Sequence, residues 1–150
     1  EHGYRPFPEA QIEAVTTLCA DIVKRWRIRP DRVIAHADMA PARKQDPGEL
    51  FPWEHLAGAG VGCWTPPHRI AGGRFLQRGD AGTPVEALQA MLGVYGYDIP
   101  VSGAFDEATE LVLAAFQRHF RPERIDGVAD RSTIETLRDL LAARTGLLQA

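Results

Sequence analysis

The chain has 150 residues, 45% hydrophobic and 25% charged, with 20 acids against 17 bases and a formal charge of −3. This length fits one average domain or two small ones, and the composition excludes a disordered chain. The charge excludes a dedicated nucleic-acid binder, no apolar run approaches the ~20 residues of a membrane span, and two cysteines, Cys19 and Cys63, are too few for a disulfide framework or a cysteine zinc site.

Glu1 opens the chain with neither a methionine nor a signal peptide. A fragment or processed piece is therefore expected, with any export signal or lipid anchor upstream. The first predicted element is a helix from about Pro8 to Arg27. Ile12, Val15, Cys19, Ile22, Val23 and Trp26 recur at helical spacing, Pro8 suits the first turn, and Pro30 enforces a stop. The β-branched run Val33-Ile34-Ala35, ending at His36, reads as a buried strand of an α/β layer. A long loop follows from Ala37, and Pro52 opens a short helix from Trp53 to about Ala59.

Residues 65–82 are rich in proline and glycine, and the domain boundary belongs there. The division expected is an α/β part over 1–72, a linker over 73–82 and an all-α part over 83–150. Thr83-Pro84-Val85-Glu86 has capping-box spacing and predicts a helix start at Thr83. A repeat then matches Val101 to Thr109 with Ile125 to Thr133 at an offset of 24. Each copy reads as an apolar anchor, a glycine turn, an aspartate cap (Asp106, Asp130) and a new helix. Gly146 is the expected helix stop. Together these make a small three-helix unit.

The densest chemistry lies between His36 and Gly48: His36, Asp38, Arg43, Lys44 and Asp46. On spacing alone, a core histidine and a loop carboxylate explain His36 and Asp46 well enough. The concentration of an imidazole, an ammonium and two carboxylates at the end of a strand argues further, because α/β folds place ligands there. Histidine and aspartate are competent zinc ligands, and a catalytic zinc usually takes three protein ligands plus water. This segment offers two.

The stretch VIAHADMAPARKQDPGELFPWEHLAGAGVGCW resembles the zinc-dependent N-acetylmuramoyl-L-alanine amidases of the type 2 amidase family, as does Arg5 to Gln11. The resemblance implies Zn²⁺ bound by His36 and Asp46, and Lys44 acting in catalysis. Leu50 to Trp53 carries the L-F-P-W motif that follows. The second half is similar to the peptidoglycan-binding domain that often accompanies such enzymes, through Leu88-Gln89, Gly96-Tyr97, Gly103 to Thr109, Phe116-Gln117 and Asp126 to Thr133. The expected fold is thus the C-terminal part of an α/β amidase domain, with a mixed sheet and helices, followed by a three-helix peptidoglycan-binding domain. The order resembles a periplasmic, outer-membrane-attached bacterial amidase that acts on peptidoglycan or muropeptides. Contact with a membrane is expected only through an upstream lipid anchor.

The family's first zinc histidine and catalytic glutamate sit on strands before the matched region, so an upstream segment of the same protein is the expected partner of this site. His2 lies in a terminal His-Gly-Tyr-Arg-Pro segment and is not read as a ligand, and Glu1 lies too close to the helix to be the family's glutamate. His55 reads as solvated or packing, His68 as exposed in the linker, and His119 as capping or packing at a helix end. Tyr95, Tyr97, Phe105 and Phe116 read mostly as core, and Asp38 as a residue that holds the loop or orients a ligand. Two readings remain open: an enzyme cleaving the amide between N-acetylmuramic acid and L-alanine, and a non-catalytic peptidoglycan-binding fragment.

Overall fold

Helices build nearly all of the regular structure in the computed structural model, which describes residues 5–149. The helices are α1 (Glu9–Trp26), α2 (His36–Met39), α3 (Trp53–Gly58), α4 (Thr83–Tyr95), α5 (Glu107–Phe120) and α6 (Arg131–Gln149). A short 3-10 turn spans Pro30–Arg32.

In α1, Glu9 sits in the first turn and Lys24 and Arg25 in the last, each complementing the helix dipole. Pro8 stands just before the helix rather than inside it. The helix ends before Pro30 exerts any effect, because Arg27 turns left-handed at φ 51° and its N–H bonds back to Val23. The apolar arc of α1 is wider than the surface it covers. Ile12, with Cys19 and Val23 beside it, packs on Leu56 and Val61. Leu18, Ile22 and Trp26, spaced four apart along the adjoining stripe, are exposed, Trp26 to 73%.

The mixed sheet is not found: no strand occurs among the described residues, and residues 33–35 are extended but unpaired. Composition favours an extended chain here, but a strand exists only when a neighbour takes its N–H and C=O groups. These groups are engaged locally instead, the Val33 N–H by the Pro30 carbonyl and the Ala35 N–H by the Asp38 carboxylate. His36 therefore begins helix α2 instead of ending a strand.

The second half encloses one continuous core, with Val85, Leu88 and Leu92 of α4, Leu113, Phe116 and Phe120 of α5, and Leu137 and Leu140 of α6. Thr83 does not cap α4. Gly82 takes the capping place at φ 105°, a conformation closed to threonine, and Thr83 is already helical. Asp106 caps α5, accepting from the Thr109 N–H at 2.9 Å, and Asp130 does the same for Thr133 at 2.8 Å. Helix α6 runs past Gly146 to Gln149.

The repeat has an unforeseen brace. Buried Gln89 accepts from the Ser102 and Gly103 N–H groups and donates to the Ala104 carbonyl and Thr109 Oγ1. Buried Gln117 repeats this with Asp126, Gly127, Val128 and Thr133. Each amide thus pairs the buried N–H of its turn's glycine, Gly103 or Gly127, which would otherwise lack a partner. The segment before α4 closes over both turns, Leu76 pairing with Ala129 and Ala81 with Ala104.

The two halves meet across polar contacts. The Asp31 side chain, 1% exposed, receives Arg29 and also Arg144 of α6 at 3.1 Å. His68, expected to be exposed, lies on α6 with its ring 2.8 Å from Asp139 and 3.4 Å from Glu135, and its backbone is held by Ser132 and Thr136.

Candidate active site

The site grows from the short helix α2 and the loop after it. Ala35 is extended, and its N–H donates to Asp38 Oδ2 at 2.8 Å, which closes the first turn. His36 projects from that turn. The Arg43 and Lys44 N–H groups bond to the Ala40 carbonyl, folding the chain back, and the Ala37 N–H donates to the Asp46 carbonyl at 3.0 Å. Asp46 precedes a cis peptide to Pro47, and Gly48 follows at φ 88°, where glycine is favoured.

This fold-back brings two of the expected residues together. His36 Nδ1 lies 3.0 Å from Asp46 Oδ2, and both side chains face solvent. The Asp46 carboxyl sits below its ordinary range. Slight desolvation pushes it up, and the His36 hydrogen bond, a backbone N–H and the charges of His36 and Lys44 outweigh it. Lys44 is partly buried and near enough for its charge to act on Asp46. Residues Gln45 to Glu49 line an open depression of about 290 Å³ beside the pair.

The donor set suits zinc. An imidazole nitrogen and a carboxylate oxygen are common zinc ligands, and their separation is close to the ~3.3 Å edge that bonds of about 2.0–2.1 Å give a tetrahedral shell. No third histidine, cysteine or carboxylate joins them in a metal-holding group among the described residues. Glu1 and His2 lie outside the described residues. His55 is exposed on α3.

Behind the pair lies a network whose partners were not foreseen. Asp38, 8% exposed, accepts from the Tyr97 hydroxyl at 2.7 Å and pairs with His119 Nδ1 at 2.7 Å. Burial first, and the Asp38 charge second, push the Tyr97 phenol far up, so it stays a donor. The His119 ring is stacked between Trp53, at 3.9 Å, and Phe120, at 3.7 Å. A polar side chain on the buried face of a helix was the available signal for His119, but its partner is 81 residues away.

Known proteins resemble both halves. Residues 1–49 match the family model described as N-acetylmuramoyl-L-alanine amidase, and residues 81–137 match that of the peptidoglycan binding domain. The chain is 44% identical over 133 residues to N-acetylmuramoyl-L-alanine amidase AmiD of Escherichia coli, an alignment covering 87% of this chain and 47% of that protein. It is 41% identical over 51 residues to 1,6-anhydro-N-acetylmuramyl-L-alanine amidase AmpD of Haemophilus influenzae, covering 33% of this chain and 28% of that one. The solved complex of E. coli N-acetylmuramyl-L-alanine amidase AmiD with the substrate anhydro-N-acetylmuramic acid-L-Ala-D-gamma-Glu-L-Lys superposes with a TM-score of 0.75 at 37% identity, over 97% of this chain and 56% of that one. The loop thus lies in a segment similar to amidases, and the three long helices after it begin in a segment similar to a peptidoglycan-binding domain. The chain is similar to N-acetylmuramoyl-L-alanine amidases over most of its length and to peptidoglycan-binding domains over its second half. It spans about half the length of the first of these relatives.

Proposed function

We propose that this chain is part of a zinc-dependent hydrolase that cleaves the amide between N-acetylmuramic acid and L-alanine in peptidoglycan or muropeptides. Residues 1–72 would form part of the catalytic domain, and 83–150, joined through 73–82, would hold the wall. A bacterial periplasmic setting fits that substrate, and attachment to the outer membrane would come through an upstream lipid anchor. The observation that carries the reading is the 3.0 Å approach of His36 and Asp46, beside Lys44, within the amidase-like segment.

His36 and Asp46 would hold the metal, which when bound polarises the amide carbonyl and makes water a competent nucleophile near neutral pH. The chain's own residues supply the rest. The hydrogen bond from the Ala37 N–H to the Asp46 carbonyl keeps the loop folded, so both ligand atoms face the same side. The Lys44 ammonium supplies positive charge where the amide oxygen becomes an oxyanion. The remaining ligand and a proton-handling carboxylate would come from residues beyond those described. The uncovered stripe of Leu18, Ile22 and Trp26 supports such a completion, since an apolar face of this kind packs against further structure.

The test is peptide release from a purified muropeptide, measured for the 150-residue chain and for the protein with its upstream amidase portion restored. The proposal expects release by the restored protein and little by the chain alone. A restored protein that binds sacculi but releases no peptide would favour the alternative, a non-catalytic wall-binding protein.

A further inference from the structure

We infer that Asp38 is a positioning residue through which the helical half fixes the His36–Asp46 pair, an inference that rests on the zinc reading above. Asp38 stands where three hydrogen bonds from different parts of the chain converge. It accepts from the Ala35 N–H at 2.8 Å, from the Tyr97 hydroxyl at 2.7 Å, and pairs with His119 Nδ1 at 2.7 Å. The first bond sets the turn that projects His36. One residue on, the Ala37 N–H holds the Asp46 carbonyl. Two bonds from the helical half therefore end on the same four-residue turn that carries His36 and holds the Asp46 carbonyl.

His119 is arranged for this contact. Its side chain is 3% exposed, its ring is fixed between Trp53 and Phe120, and its Nε2 is buried without a hydrogen-bond partner. A buried imidazole costs free energy for each unpaired nitrogen, and Asp38 receives the nitrogen that is paired. The ring also edges a narrow gap beneath the loop, lined by Ala37, Gln45, Pro47 and Gly48. The helical half thus acts as part of the frame that orients the metal ligands, in the way outer hydrogen bonds orient ligating side chains elsewhere.

Zinc is titrated into the protein with its upstream amidase portion restored while the His36 ring resonances are followed by NMR, alongside hydrogen exchange of the Ala35 and Ala37 amides. Asp38→Asn offers one acceptor atom to three donors. It is expected to raise the zinc midpoint about 10–100-fold and to speed exchange at both amides. Tyr97→Phe, which keeps the ring, is expected to move both readouts in the same direction by less. Tyr95→Phe, a neighbouring ring without a bond to Asp38, is expected to move neither. A wild-type zinc response retained in full by Asp38→Asn and Tyr97→Phe, with unchanged exchange, overturns this inference alone. No zinc response at His36 in the restored wild-type protein overturns the metal reading and this inference with it.

Discussion

The two halves of the molecule solve the burial problem differently. The helical half gathers thirteen buried apolar residues into one cluster, and its turns are braced from inside by Gln89 and Gln117. The first half has two small clusters of three buried residues each, around Leu56 and around Trp53, and leaves the α1 stripe uncovered. The candidate ligands lie in this thinly packed half. Their loop is held by backbone bonds and by polar links to the closed half, through Asp38, rather than by a core of its own. Precision in a weakly packed region can thus be borrowed from a rigid neighbour.

The contrast can be broken most sharply in the helical core. Phe116, fully buried, replaced by alanine is expected to cost about 3–5 kcal/mol in denaturant unfolding. Gly127→Ala comes next. At φ 68° its new Cβ would lie 2.8 Å from Glu110 Cγ and 3.2 Å from the Glu110 carbonyl oxygen. About 2–4 kcal/mol is expected from strain and overlap together. Gly103→Ala should cost less, since only the flexible Glu86 side chain opposes it.

The polar seam between the halves is tested by acid. Arg29 hydrogen bonds first, opposed by burial and then supported by Arg144, hold the Asp31 carboxyl at about 2. The folded state thus takes up the proton later than the unfolded chain. The stabilisation is complete above about pH 5, falls as the pH drops toward 2, and amounts to at most about 2 kcal/mol. Asp31→Asn should flatten this part of the stability–pH curve, and an unchanged acid limb would remove Asp31 from the seam. The smallest effect is expected at Trp26, which is exposed. Trp26→Ser should change the stability of this chain by less than about 0.5 kcal/mol. A loss of several kcal/mol would show that the α1 stripe is already packed.

What the sequence made legible follows the range of each interaction. The Asp106 and Asp130 caps bond three residues ahead, and the pairing of His36 with Asp46 spans ten. The caps lie within one turn, where residue type and spacing carry the signal, whereas spacing alone left His36 and Asp46 as a core histidine and a loop carboxylate, and the family resemblance singled them out. The strand at 33–35 depended on a neighbour that no local pattern can supply, and its backbone groups bond locally instead. Thr83 had the right spacing for a cap, but the turn required a positive φ that only Gly82 provides. His68, Tyr97 and His119 find their partners 59 to 81 residues away, so the sequence marked them as packing or exposed and hid their bonds.

The most direct measurement is bound zinc per protein in the restored amidase, for His36→Ala, Asp46→Ala and Lys44→Ala side by side with the unaltered protein. A large loss of zinc is expected in the first two, because each removes a ligand. Full zinc is expected in the third, because an ammonium cannot ligate, with turnover still down about 10²–10³-fold. Full zinc retained by both His36→Ala and Asp46→Ala would contradict the assignment of this loop as the metal site.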